Sequence, residues 1–287
     1  MPEVLALLSS KGGVGKTGLC ANVAAQAARL LHPERVLCVD LDPSGDLALD
    51  LGYRGEVADD QGSALVGALL HGTTPRPAPT GRAGLDVFAG GPRLGFAVNV
   101  KACLASDAVG ALADVLGRLG GGYRLVVVDC PPGLGALSRL ALAAADGVVI
   151  PTRADDGSLA AIGALAPVWR DIRTRHNAGL ALLGIALMQV PTEVRRLETR
   201  LRDDLRIVGE GHLRVFRTAV RANSEAAYGA RRLGLTADEY AHHAHSTDND
   251  EPARAARALA EDYRHLTGEI LGRLRARRAP TARGAHR

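Results

Sequence analysis

The densest chemistry in the chain lies near its start, in Ser10-Lys11-Gly12-Gly13-Val14-Gly15-Lys16-Thr17. The spacing is that of a phosphate-binding loop, in which Gly, four residues, Gly, Lys and Ser or Thr follow one another. Ser10 stands where the pattern has its first Gly, and a second lysine, Lys11, follows at once. Gly12, Gly13 and Gly15 let the backbone turn its N–H groups toward a polyphosphate, an approach that Cβ atoms would obstruct. Lys16 reaches the β- and γ-phosphates, and the Thr17 hydroxyl is a ligand for Mg²⁺. Val14 lies within this cradle and Gly18 in the first turn of the following helix, whose positive end faces the same phosphates. Lysine occurs only at Lys11, Lys16 and Lys101, so most of the chain's lysine sits in this loop while arginine serves elsewhere.

Carboxylates at two other places suit a nucleotide–metal complex. Val36 to Pro43 reads as a buried strand ending in Asp40 and Asp42, which alternation puts on one side. At the C-terminal edge of a parallel sheet such carboxylates sit beside the phosphate loop. Leu125 to Val128 followed by Asp129 is a second apolar run delivering one carboxylate to Mg²⁺. Pro131-Pro132 stiffen the exit from that run and Gly133 and Gly135 free it again, as in a loop that switches with the γ-phosphate. Cys130, next to Asp129, reads as a packed thiol.

KGGVGKT, D-x-D-P at Asp40 to Pro43 and D-x-P-P-x-L-G at Asp129 to Gly135 together resemble the deviant Walker A ATPases of the ParA/MinD family. The short, Soj-like ParA proteins are the most similar in outline. The resemblance is dense to about Pro151 and thin after Met188. It implies an ATPase using ATP and Mg²⁺, with Lys11, Lys16 and Asp42 catalytic. Lys11 would reach across a homodimer to the partner's nucleotide, Asp42 would orient the hydrolytic water, and Asp40 would join Thr17 and Asp129 in supporting the metal. The strand-end residues Gln189 to Thr192 fall where relatives contact adenine, although their types differ from the family pattern.

The elements that must position these residues alternate. Val4 to Leu8 is a strand, an alanine-rich helix runs to about Leu31, and further strands are expected at 85–89, 147–151 and 180–188. The expected fold is α/β, a doubly wound and mostly parallel sheet with helices on both faces. Helices are expected at 106–119 with Ser106 as N-cap, at 158–175, at 192–208 and from Pro252 onward; 44–71 is read as helical surface with glycine breaks, and 72–84 and 90–101 as loops. One ATPase domain is expected over 1–277, with a basic, disordered tail after it. His242 to His245, with Asp248 and Asp250, reads as an exposed loop without the helical spacing of a metal motif.

At 47% hydrophobic and 3% aromatic residues, the core must be Leu, Val and Ala. No run of 18 apolar residues occurs and the N-terminus lacks a signal-peptide pattern, so a cytoplasmic protein is expected. Cys20, Cys38, Cys103 and Cys130 are scattered and read as reduced thiols.

The last third is rich in arginine. Arg195 and Arg202 share a helix face, Arg196 lies on another, and Arg217 and Arg221 follow. By the resemblance these are nonspecific DNA contacts. Phosphate-only binding is salt-dependent and weak, with dissociation constants of roughly 10⁻⁴–10⁻⁶ M. The resemblance then implies a nucleoid-associated partition ATPase whose ATP-bound dimer coats DNA until a ParB-like partner stimulates hydrolysis. A MinD-like membrane or cargo-positioning ATPase, an iron–sulfur reductase and a DNA-binding scaffold that scarcely turns over are the other readings. The end of the chain lacks the bulky apolar residues of a membrane-targeting helix.

Overall fold

The computed structural model describes residues 1–96, 109–153, 163–191, 214–245 and 250–278, with 199 and 203 besides. Seven strands form one sheet in the order β3-β4-β2-β5-β1-β6-β7. They are β1 (Glu3–Leu7), β2 (Val36–Asp40), β3 (Ala78–Pro79), β4 (Leu85–Phe88), β5 (Leu125–Asp129), β6 (Gly147–Arg153) and β7 (Ala181–Met188). All pair in parallel except β3, a short antiparallel edge on β4 within the stretch expected to be loop.

Alternation divides the core in two. Leu5, Leu7, Val36, Cys38, Leu125 and Val127 face one layer, while Val4, Ala6, Leu37, Val39, Val126 and Val128 face the other. Burial on both faces is why these strands read as continuous apolar runs. The first layer is covered by α1 (Lys16–Leu31), α8 (Ser224–Leu233), α9 (Ala237–His245) and α10 (Asp250–Arg278). The other is covered by α3 (Ser63–His71), α5 (Ala111–Arg118), α6 (Ala136–Ala144) and α7 (Leu165–Arg175). The expected stripe of α10 is buried at Ala256, Leu259, Leu266, Ile270 and Leu274. No helix of the described residues is long and apolar enough to cross a membrane.

Several expectations need correction. β2 ends at Asp40, not Pro43, because the Asp40 carboxylate accepts the Asp42 N–H at 2.8 Å and turns the chain. The segment 44–71 is helical only over α2 (Leu47–Asp50) and α3, and 92–96, expected as loop, forms a short helix, α4. Helix α5 starts at Ala111 with Gly110 before it, and Ser106 lies outside the described residues. His242 to His245 belong to helix α9, whose Ala237, Ala241 and Ala244 are buried. At its start the Glu239 carboxylate reaches back and accepts both the Thr236 N–H and hydroxyl, at 2.7 and 2.9 Å, the Glu half of a capping box. Among the described residues no group of His, Cys, Asp or Glu is placed to hold a metal by itself. Helix α10 continues through Arg278, the first residue of the expected tail. Most of the expected helix 192–208, with Arg195, Arg196 and Arg202, lies outside the described residues, as do Cys103 and the end of the chain.

Candidate nucleotide site

β1 sits between β5 and β6, and β1 and β5 send their crossovers in opposite directions along the sheet. The C-terminal ends of strands at such a reversal are where open α/β sheets bind ligands. The phosphate loop leaves β1 there. Gly13 and Gly15 take φ of 73° and 85°, values that disfavour side chains. A Cβ on Gly15 would also meet Gln189 at 3.4 Å. With Gly15 as its left-handed N-cap, α1 aims the first-turn amides at the loop with no capping side chain over them.

Lys16 is buried and donates to Asp129 Oδ1 at 2.7 Å. Burial works against its charge, but Asp129 outweighs burial and raises its pKa to about 12. The register pairs Asp40 with Asp129 directly, and Leu7 with Asp129. Continuing the alternation of their strands, both carboxylates point to the layer of α1, and both are fully buried. Burial first, and then Asp129, pushes the Asp40 carboxyl well above its ordinary range. Asp42 sits close enough to act on Lys16, Asp40 and Asp129 electrostatically.

Asp40 Oδ2 and Asp129 Oδ2 are buried with no hydrogen-bond partner. Two such oxygens on adjacent strands, beside the Thr17 hydroxyl that also bonds Asp129, fit a hard divalent cation. One lysine among Asp40, Asp42 and Asp129 leaves a negative excess that Mg²⁺ would offset. The loop after β5 is tied to the phosphate loop by Gly133, which takes φ of 90° and whose N–H donates to Ser9 O at 3.0 Å. Cys130 is fully buried, as its packed-thiol reading required.

Beside the loop opens a cleft of about 430 Å³. Gly15 and Gly18 meet Met188, Gln189 and Pro191 across it, which is room for a nucleoside next to the phosphates. Arg221, read from sequence as a DNA contact, is in the wall of this cleft. Asp262 of α10 accepts its backbone N–H at 3.0 Å and its guanidinium at 2.6 and 2.8 Å. Arg217 remains exposed, its backbone N–H held by Glu269 at 2.9 Å. Lys11 is exposed while Lys16 is buried, so one loop carries two lysines in opposite environments. Sequence reasoning missed the cleft's inner wall, Asp50 and Arg231, which come from α2 and α8.

A glycine loop at a sheet switch point, a lysine buried on a strand-end carboxylate and a pair of orphaned carboxylate oxygens define a P-loop nucleoside triphosphatase. The family model described as an AAA domain matches residues 2–182. The chromosome-partitioning ATPase Soj of Thermus thermophilus is 34% identical over 276 residues, covering 94% of this chain and 96% of that protein. The chain therefore belongs to the ParA/MinD family of ATPases, near its Soj-like members, and uses ATP and Mg²⁺. Cobyrinic acid a,c-diamide synthase from Mycobacterium smegmatis, solved with ADP and magnesium, is 26% identical with a TM-score of 0.69, covering 82% of this chain and 93% of that one. An ATP complex of a McdA variant from Cyanothece shares the fold, with a TM-score of 0.76 at 18% identity over 94% of this chain and 96% of that one.

Proposed function

We propose that the chain is a partition ATPase that works as an ATP-dependent sandwich dimer. Two copies close over two nucleotides, each lending Lys11 to the other's phosphates, and Asp42 orients the attacking water. The closed dimer binds DNA without sequence preference through Arg195, Arg196, Arg202 and Arg217. A ParB-like partner stimulates hydrolysis and releases it. The protein acts in the cytoplasm, over the nucleoid.

The observation that carries this reading is the exposed Lys11 beside the buried Lys16. Lys16 is buried against Asp129, whereas Lys11 stands at the surface, a position that suits contact with a second copy's phosphate. Likeness to the Soj protein over nearly the whole chain supports the partition role.

The test is binding to a random-sequence duplex with ATP, with ADP and without nucleotide, at two salt concentrations. Salt-sensitive binding with ATP alone is expected. Binding that ignores nucleotide, or no binding at all, would sink the proposal.

A further inference from the structure

We propose that Arg231 is a positioning residue for hydrolysis, fixing the loop that carries Asp42 by holding Asp46 and Asp50. The inference rests on Asp42 as the water-orienting carboxylate. The chain leaves β2 at Asp40, passes Asp42 and enters α2 at Leu47. Along this stretch the Gly91 N–H donates to Asp42 O at 3.1 Å, and Arg54 donates to Gly45 O at 2.6 Å. Arg231 reaches in from α8 and pairs with Asp46 at 3.1 Å and Asp50 at 3.3 Å. Asp50 is buried, whereas Arg231 and Asp46 are partly exposed, so the anchor runs from the protein wall at Asp50 out to the surface at Asp46.

The C-terminal end of α2, where Asp50 lies, has a second fastening besides Arg231. A Cβ on Gly234 would lie 2.3 Å from Gly52 Cα, so these two backbones cross in contact. Arg82 spans the crossing. It donates to Leu51 O at 2.6 Å, to Gly234 O at 2.9 Å and to both Glu239 oxygens at 2.8 Å. Helix α2 thus stays docked on the α8–α9 turn without Arg231. What Arg231 adds is control of the N-terminal end, where Asp46 lies just beyond the Asp42 turn. Because α8 also lines the nucleoside cleft, the same helix faces the nucleotide and holds the hydrolytic loop.

The experiment measures phosphate release and the affinity for a fluorescent ATP analogue in the full chain, for Arg231→Ala, Arg231→Lys, Asp46→Asn and Asp42→Ala. A loop displaced by an ångström costs on the order of tenfold or more in rate. Arg231→Ala is expected to lower kcat about tenfold and Arg231→Lys to recover most of the rate; because Arg231 also lines the cleft, the split between rate and ATP affinity is read on Asp46→Asn. Asp46→Asn, which lies outside the cleft lining and leaves the Asp50 anchor and the Arg82 crossing intact, is expected to show a smaller loss of kcat with ATP affinity within about twofold, and it decides the matter if Arg231→Ala fails to fold. Unchanged kcat in Arg231→Ala and Asp46→Asn, or equal losses in rate and affinity in Asp46→Asn, overturns the inference. Wild-type turnover in Asp42→Ala overturns the Asp42 reading on which it rests. An inactive Asp42→Ala beside a fully active Arg231→Ala overturns the inference alone.

Discussion

Two sets of carboxylates in this molecule live in opposite conditions. At the sheet edge, Asp40 and Asp129 are fully buried, each with one oxygen left without a partner. On α10, Asp262 and Glu269 use every oxygen. Asp262 takes three donors from Arg221, and Glu269 takes the backbone N–H groups of Arg217 and Thr218 and the Thr218 hydroxyl. Burial works against the Glu269 charge, but these donors outweigh it and pull its carboxyl below the usual range, whereas burial pushes Asp40 up. A buried polar atom without a partner is costly and is retained where a ligand completes it. Saturated carboxylates are scaffold, and here they fasten the loop of residues 217–221, which reaches the nucleoside cleft. The comparison assigns chemistry to one region and positioning to the other.

The largest expected effect breaks the comparison at its charged centre. Lys16→Ala removes the cation facing Asp129 and, on the proposed function, a contact to the transferred phosphate. Hydrolysis is expected to fall on the order of 10²–10³-fold, as for loss of a main electrostatic contact. Phosphate release at the wild-type rate would show that the edge is not the reacting site.

Asp50 stands between the two sets, buried like the first and paired like the second. Burial raises its pKa to about 6, against the pull of Arg231. Between about pH 4 and that value the folded state holds a proton the unfolded chain has lost, so this group's contribution to stability falls as pH rises and stays lost above it. The cost reaches roughly 3 kcal/mol for a shift of this size. The stability of the wild type relative to Asp50→Asn should therefore decline from pH 4 to pH 7 in thermal melts. A flat difference would contradict a buried, titrating Asp50.

A smaller pair of effects sharpens the contrast by sign. Asp262→Asn trades a charge-assisted bidentate partner for a neutral one, and nucleotide-free stability is expected to drop by about 1–2 kcal/mol, discounted for the partial exposure of Arg221. Asp40→Asn removes a buried ionisable group facing Asp129 while keeping Oδ1 for the Asp42 N–H, and should raise stability by about 1 kcal/mol while weakening the Mg²⁺ dependence of nucleotide binding. Melting shifts of the same sign would erase the distinction.

The edge was legible in sequence because its elements are local. The loop Ser10–Thr17, D-x-D-P and Asp129 are contiguous runs, and strands buried on both faces leave unbroken apolar stretches. The scaffold was not, because its partners are far apart in the chain. Arg82 meets Gly234 across 152 positions, and Arg231 meets Asp50 across 181. Nothing in local spacing reports such pairs, so Arg221 read as one more basic residue. Helix α9 was different. Thr236-x-x-Glu239 is a local capping signal ahead of buried alanines, while His242 and His243 fall on the exposed face of the same helix.

The smallest effect separates two arginines on one short loop. Arg217 is exposed, and Arg221 is bound by Asp262 in the cleft wall. If Arg217 touches a DNA phosphate, Arg217→Ala should lower the slope of log affinity against log salt by about one and leave ATP affinity unchanged. Arg221→Ala should do the reverse, shifting nucleotide affinity with the salt slope intact, because its charge is already neutralised by a buried carboxylate. Salt titrations of ATP-dependent DNA binding and a nucleotide titration on both variants decide it. A reduced salt slope in both would put Arg221 on the DNA as well, and would mean that a carboxylate with every oxygen in use can still leave its arginine's charge available to phosphate.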